Sequence, residues 1–120
     1  MNIIGMATQV VIALCIFNVW LLRFNKATDY RGGEATNLRE EFAVYGLPAW
    51  SVYVIGALKL TFAVLLLVGL WLPQLVTPAA IGMAVLMAGA VSMHIKVGDP
   101  PKRAAPAAGM LALSIFTALV

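Results

Sequence analysis

Charged residues are scarce in this sequence. Asp, Glu, Lys and Arg together make up 11% of its 120 residues, whereas soluble globular domains contain about 25%. Hydrophobic residues make up 62%, and the mean hydropathy is +0.96. This composition excludes an ordinary soluble domain and indicates a membrane protein. The length suits a single membrane domain over 1–120, with about four helices of about 20 apolar residues each.

Cysteine and histidine occur once each, as Cys15 and His94. A single cysteine excludes an intrachain disulfide and a Cys-x-x-Cys redox centre, and its place in an apolar run predicts a buried structural thiol. A single histidine excludes a heme held between two histidines of one chain. The sequence also lacks a nucleotide-binding loop, a zinc-ligand spacing and a serine triad. We therefore expect no metal and no evident cofactor, with a quinone or a lipid as the ligand classes left open; whether the chain is an enzyme is open as well.

Four apolar runs predict membrane-spanning helices. The second run has 22 residues, and as a helix it would be about 33 Å long, enough to cross a hydrocarbon core of about 30 Å. The last run has 17 residues, which is at the lower limit for crossing. The predicted fold is an all-α integral membrane four-helix bundle with spans at 3–22, 51–72, 76–95 and 104–120.

The longest polar segment lies between the first two predicted spans. A short helix over 36–46, with Thr36 as its N-cap, would place Leu38, Phe42 and Tyr45 on one face. Such a helix would lie in the headgroup plane as an interfacial helix. An irregular solvated loop is the alternative interpretation.

The basic residues outside the spans lie in two loops. They are Arg23, Lys26, Arg31 and Arg39 in the first loop, and Lys96, Lys102 and Arg103 in the second. The positive-inside rule places both loops in the cytoplasm and both termini outside it. Because these residues flank apolar spans, the expected partner is the lipid bilayer and no nucleic acid is expected. Anionic lipid headgroups are expected at Arg23, Lys26, Lys102 and Arg103.

Lys59 is the one charged residue inside the second predicted span. A charge near the bilayer centre costs about 3 kcal/mol on insertion scales, so its presence needs an explanation. The ammonium could be lifted to the headgroups by snorkelling. Alternatively, Lys59 faces the protein, because Gly56 and Ala63 on the same helix face allow another helix to come close.

Three polar residues on three different spans are predicted to lie in the same half of the membrane: Asn18, Lys59 and His94. If each faces inward, the three form one polar pocket, with Asp99 and Glu41 as charge partners from the loops. The alternatives are an interhelical hydrogen bond for Asn18 and an interfacial anchor for His94.

Three short motifs carry a resemblance to a known family. They are FAVYGLP at 42–48, IGALKL at 55–60 and MHIKVGDP at 93–100. With these motifs in this order, the chain resembles the DoxX-like family of small bacterial membrane proteins. The resemblance implies a four-helix bundle in a bacterial inner membrane and an association with quinone-linked sulfur oxidation or with oxidative-stress complexes.

Three functions follow as hypotheses. The first is an accessory or anchor subunit for a soluble oxidoreductase or another redox partner near the quinone pool. The second is a membrane enzyme or binder acting on a lipophilic small molecule at a polar site around Lys59. The third is a homo-oligomeric transport unit, which the lack of an acidic residue inside the predicted spans disfavours.

The orientation can be tested by cysteine labelling in a Cys15→Ser background. A cysteine at Lys102 should resist a membrane-impermeant maleimide on intact cells and react after permeabilisation, because its loop is basic. A cysteine at Gln74, between the second and third spans, is the matched control and should react from outside. Labelling of the Lys102 site from outside would show that the orientation is wrong.

Overall fold

Helices form nearly all of the regular structure. A computed structural model describes residues 3–25, 32–33, 35 and 37–120, and these contain no strand. The prediction of an all-α protein is therefore confirmed for the described residues. The predicted N-cap Thr36 and the predicted lipid contact Lys26 lie outside them. The helices are α1 (Ile3–Phe17), continued by a π-helical turn (Asn18–Leu22), α2 (Leu38–Val44), α3 (Ser51–Val68), α4 (Val76–Lys96) and α5 (Pro101–Leu119), with a 3-10 turn (Pro73–Leu75) before α4.

Two helix ends differ from the predicted spans for reasons of local chemistry. Helix α3 ends at Val68, four residues before the predicted end, where Gly69 begins a turn. Helix α5 begins at Pro101, three residues before the predicted start. Proline suits the first helical position because its fixed φ is already helical and its missing N–H would have no intrahelical partner there.

Helix α2 begins at a side-chain cap. The Oδ1 atom of Asn37 accepts a hydrogen bond from the backbone N–H of Glu40 at 2.9 Å, so Asn37 is the N-cap and the prediction that Thr36 is the N-cap is wrong. Leu38, Phe42 and Tyr45 are all buried, as their spacing predicts. This face of α2 packs on the core, so the alternative of a merely irregular loop is wrong for 38–44.

The four long helices pack in a ring. Helix α1 contacts α3 and α5, and α4 contacts the same two helices. Two hydrogen bonds join α1 to its neighbours: Gln9 donates to the carbonyl of Leu66 on α3 at 2.8 Å, and the hydroxyls of Thr8 and Thr117 on α5 lie 2.7 Å apart. Such bonds, with close packing, hold helices together in an apolar environment.

The outer surface of this ring is apolar. Large hydrophobic side chains that are more than half exposed include Ile3, Leu21, Leu22, Trp71, Val85, Ile95 and Leu119. Three stretches are long and apolar enough to cross a membrane: Ile3–Leu22, Ser51–Val68 and Pro73–Lys96. An apolar exterior over such helices is what lipid chains cover, which supports a membrane protein.

Cys15 is exposed, so the prediction of a buried structural thiol is wrong. The buried positions on α1 are Gly5, Gln9, Ile12, Ala13 and Ile16. Because this helix is apolar on every side, its hydrophobicity does not distinguish the face toward protein from the face toward lipid.

Gly56 is required by a close contact. A Cβ atom at this position would lie 2.6 Å from Cζ3 of Trp20, whereas a Cβ at Gly89 would meet no described atom within 4 Å. We expect Gly56→Ala to lower the free energy of unfolding by about 1–3 kcal/mol through overpacking. Gly89→Ala, the matched control, should leave it unchanged or raise it, because alanine is the better helix former.

Denaturant unfolding of both variants in the same micelles measures the difference. Equal stability of Gly56→Ala and Gly89→Ala would contradict the contact between α3 and the Trp20 ring.

Candidate functional site

A cavity of about 1260 Å³ lies among the helices. Its wall is mostly apolar and includes Ile16, Val19, Met87, Met110 and Leu113. Ligand pockets for drug-sized molecules are about 300–1,000 Å³ and are lined mainly by apolar side chains with a few polar groups. This cavity therefore has the size and the lining to enclose a lipophilic molecule.

All three residues predicted for the polar pocket border this cavity: Asn18, Lys59 and His94. Lys59 is 8% exposed and His94 is 5% exposed. Asn18 is exposed, and its Oδ1 atom accepts a hydrogen bond from Nε of Arg23 at 3.2 Å. Asn18 thus lies at the edge of the cavity, and its described hydrogen bond is to Arg23 and not to Lys59 or His94.

Lys59 faces the protein interior, which excludes the snorkelling interpretation. The Nζ atom lies 5.4 Å from the centroid of the Trp20 ring, in a cation–π arrangement. Gly56 and Ala63, on the same face of α3, are buried and leave room for this contact. The carboxylate of Glu41 acts on the ammonium electrostatically. The described interactions of Nζ are those with the Trp20 ring and the charge of Glu41, and neither is a hydrogen bond.

His94 lies at the centre of a group that we call the His94 cluster: Glu41, Tyr45, His94 and Asp99. Nδ1 of His94 is 2.8 Å from Oδ2 of Asp99, and Nε2 is 3.3 Å from the hydroxyl oxygen of Tyr45. That hydroxyl donates to Oε1 of Glu41 at 2.6 Å. Oε1 of Glu41 is also 3.9 Å from Nε2. The cluster therefore joins α2 to the end of α4.

Asp99 is held by more than one donor. Its Oδ1 atom accepts hydrogen bonds from the N–H of Gly33 at 3.0 Å and from Nη1 of Arg103 at 3.1 Å, and its side chain is 3% exposed. Burial acts to raise the pKa of this carboxyl, but the hydrogen bonds from Gly33, His94 and Arg103 outweigh it, and the pKa is lowered from its ordinary 3.8. Arg103, expected to contact anionic lipid, thus forms an ion pair with Asp99.

A glycine turn brings Asp99 back to His94. Gly98, just after α4, has φ +73°, a left-handed conformation that glycine adopts without strain. The next N–H, of Asp99, donates to the carbonyl of His94 at 3.0 Å. The turn over residues 94–99 therefore brings the Asp99 carboxylate into contact with the His94 imidazole.

Two residues of the site were not predicted from the sequence. These residues are Trp20, which was not considered as part of the site, and Tyr45, which was expected only as part of an apolar face. The spacing of Glu41 and Tyr45 was an available signal, because residues four apart share a helix face and a buried tyrosine hydroxyl needs a partner. Nothing in the sequence indicated that Trp20 covers Lys59.

The described residues contain no group of three or more His, Cys, Asp or Glu side chains that could hold a metal ion. The site instead offers an ammonium, an imidazole, a phenol and carboxylates. These groups bind polar ligand atoms and exchange protons.

A family model described as the DoxX-like family matches residues 7–117. No curated protein and no solved structure matches the chain.

The lowered pKa of Asp99 predicts a pH-dependent stability difference. A carboxyl whose pKa is lower in the folded state contributes stability above its unfolded pKa and loses it as the pH falls through the folded value. Asp99→Asn should therefore lower the free energy of unfolding by about 1–3 kcal/mol near neutral pH, because buried donors lose their charged acceptor. The difference in the free energy of unfolding between wild type and variant should narrow as the pH falls below 3.8, the ordinary pKa of this carboxyl.

Denaturant unfolding of both proteins over a pH series checks this result. A gap that stays constant into the acid range would contradict the ionised, hydrogen-bonded Asp99.

Proposed function

This chain belongs to the DoxX-like family, and we propose that it is a membrane protein that binds a lipophilic molecule in the cavity, with the molecule's polar end at Lys59. A quinone or a lipid belongs to the class of molecule that this arrangement suits. The proposal adopts the second of the three functions considered from the sequence, because the geometry around Lys59 supports it best.

The proposal includes four membrane spans with α5 as the fourth. Helix α5 has 19 residues, which corresponds to about 28 Å. It packs against both α1 and α4 and exposes Ile115, Phe116 and Leu119. The basic pair Lys102 and Arg103 at its start suits the cytoplasmic side. Helix α2 would then lie at the cytoplasmic interface and both termini outside.

The observation that carries the proposal is the unmet hydrogen-bonding capacity of Lys59. An ammonium offers three donors, and its burial costs several kcal/mol unless acceptors or charges compensate. The contacts of Lys59 in the described structure are the Trp20 ring and the field of Glu41. An oxygen on a ligand in the cavity would supply the missing acceptor, while the apolar walls take the rest of the molecule.

The cavity also reaches the outer, apolar surface. Cys15 on α1 and Gly109 and Ala112 on α5 both line the cavity and are exposed. These small side chains leave room for a chain-like molecule. A ligand dissolved in the bilayer could therefore enter without passing through water.

The other two functions stay predictions from the sequence. An accessory role would be supported by co-purification of one soluble oxidoreductase in stoichiometric amount. A transport role would require a homo-oligomer, which mass measurement of the protein in nanodiscs would reveal.

Binding can be measured with a brominated chain that quenches tryptophan. In a background of Trp50→Phe and Trp71→Phe, both exposed positions, Trp20 is the remaining tryptophan and lies at the cavity. In nanodiscs, 5-bromododecanoic acid and 5-bromododecanol, which carry the bromine near the head group and hence near Trp20, should each quench Trp20 saturably. Lys59→Met should weaken the binding about tenfold or more, because a hydrogen bond to a charged group is lost.

Lys102→Met is the matched control and should bind like the parent protein. The thermal stability of Lys59→Met should be equal or higher, since an apolar side chain replaces a buried charge. Quenching that is not saturable in the parent, or unchanged affinity in Lys59→Met, would overturn the proposed function.

A further inference from the structure

The His94 cluster is one hydrogen short when the imidazole is neutral. An ionised carboxylate accepts hydrogen bonds only, so the 2.8 Å contact between Nδ1 of His94 and Asp99 places a hydrogen on Nδ1. A neutral imidazole has one ring hydrogen. Its other nitrogen, Nε2, is then an acceptor in need of a donor.

The nearest described group to Nε2 cannot serve as that donor without giving up a shorter bond. The Tyr45 hydroxyl lies 3.3 Å from Nε2, but its single hydrogen is directed to Glu41 at 2.6 Å. Two lone pairs therefore face each other between His94 and Tyr45. A hydrogen on Nε2 would turn every contact in the cluster into a donor–acceptor pair.

Several charged groups surround His94. The groups packed around His94 are Tyr45 and Glu41 from α2, Asp99 from the turn after α4, Arg103 from α5, and Lys59 from α3 across the shared cavity. Both carboxylates lie within 4 Å of an imidazole nitrogen, at 2.8 and 3.9 Å. Arg23 also lines this cavity, so the positively charged side chains around it outnumber the two carboxylates when His94 is protonated, which suits an anion.

We infer that the ligand is a lipophilic weak acid and that Nε2 of His94 accepts its proton. The inference rests on the proposed function and names the ligand class for that cavity: a long apolar chain ending in one acidic oxygen, a carboxylic acid or a phenol. The acid enters from the bilayer in its neutral form, which hydrocarbon dissolves far better than the anion.

The transfer balances within the complex. The O–H bond of the ligand breaks, an N–H bond forms at Nε2, and the bonding electron pair stays on the ligand oxygen. The resulting anion accepts charge-assisted hydrogen bonds from the Lys59 ammonium and is attracted by the positive charge of the His94 imidazolium. No oxidant, reductant or proton from water is needed, and reversal of the same step releases the neutral acid.

The single histidine makes the test direct. Protein labelled with ¹⁵N-histidine has one pair of ring-nitrogen NMR signals, from His94. In nanodiscs at neutral pH, dodecanoic acid should convert these signals from the pattern of a neutral ring to that of a ring protonated on both nitrogens. Dodecanol, which has the same chain and no acidic oxygen, should leave the neutral pattern.

Tyr45→Phe provides the second arm because it removes the acceptor that faces Nε2. In the parent protein the brominated acid should bind about tenfold more tightly than the brominated alcohol, since it alone forms the charge-assisted bonds. In Tyr45→Phe the ratio of the acid's affinity to the alcohol's affinity should fall toward one. The alcohol should still bind, which shows that the variant is folded.

The outcomes separate the two claims. If the acid quenches Trp20 saturably and His94 stays neutral, or if His94 is doubly protonated before ligand is added, the weak-acid inference is wrong and the binding cavity stands. If neither the brominated acid nor the brominated alcohol quenches Trp20 saturably, the proposed function is wrong and the inference is wrong with it.

Discussion

The buried ammonium of Lys59 is the constraint on which the rest of this structure depends. A charge inside an apolar helix ring is costly unless other groups stabilise it. The Trp20 ring lies 5.4 Å from Nζ, and it comes that close to α3 because residue 56 is glycine. Glu41 adds an attractive charge from α2. The remaining donors of the ammonium border the cavity, where the proposed ligand would supply an acceptor.

The polar groups of the loops hold α2 over the same end of the molecule. Lys96 donates from the end of α4 to the carbonyl of Tyr45 at 2.9 Å, and Arg103 donates to the carbonyl of Gly33 at 2.5 Å. These contacts keep Glu41 and Tyr45 next to His94. The short helix therefore serves as a wall of the cavity as well as a connection between two spans.

Sequence patterns predicted the helices well, because a run of about 20 apolar residues has few folded solutions other than a helix. Spacing also predicted that Leu38, Phe42 and Tyr45 share a buried face. Rotational position was harder to predict. Depth in the membrane grouped Asn18 with Lys59, but depth does not give direction around a helix axis, and Asn18 is exposed. Cys15 was misplaced for the same reason.

The chemistry of the site depended on contacts that only the folded chain creates. Asp99 was predicted as a charge partner for Lys59, and it pairs instead with His94 and Arg103 because the Gly98 turn directs it there. Trp20 and Lys59 are far apart in sequence and meet only through helix packing. Such pairings cannot be derived from periodicity, which describes one helix at a time.

The most direct test of the binding cavity is a bromine anomalous map. Crystals grown in a lipid mesophase with 12-bromododecanol or 12-bromododecanoic acid would locate the chain end, and the ordinary density would locate the head. If the ligand binds as proposed, bromine lies inside the cavity between the long helices, and the head-group oxygen lies within hydrogen-bonding distance of Nζ of Lys59. Bromine found only on the outer, lipid-facing surface, with the cavity filled by protein side chains, would contradict it.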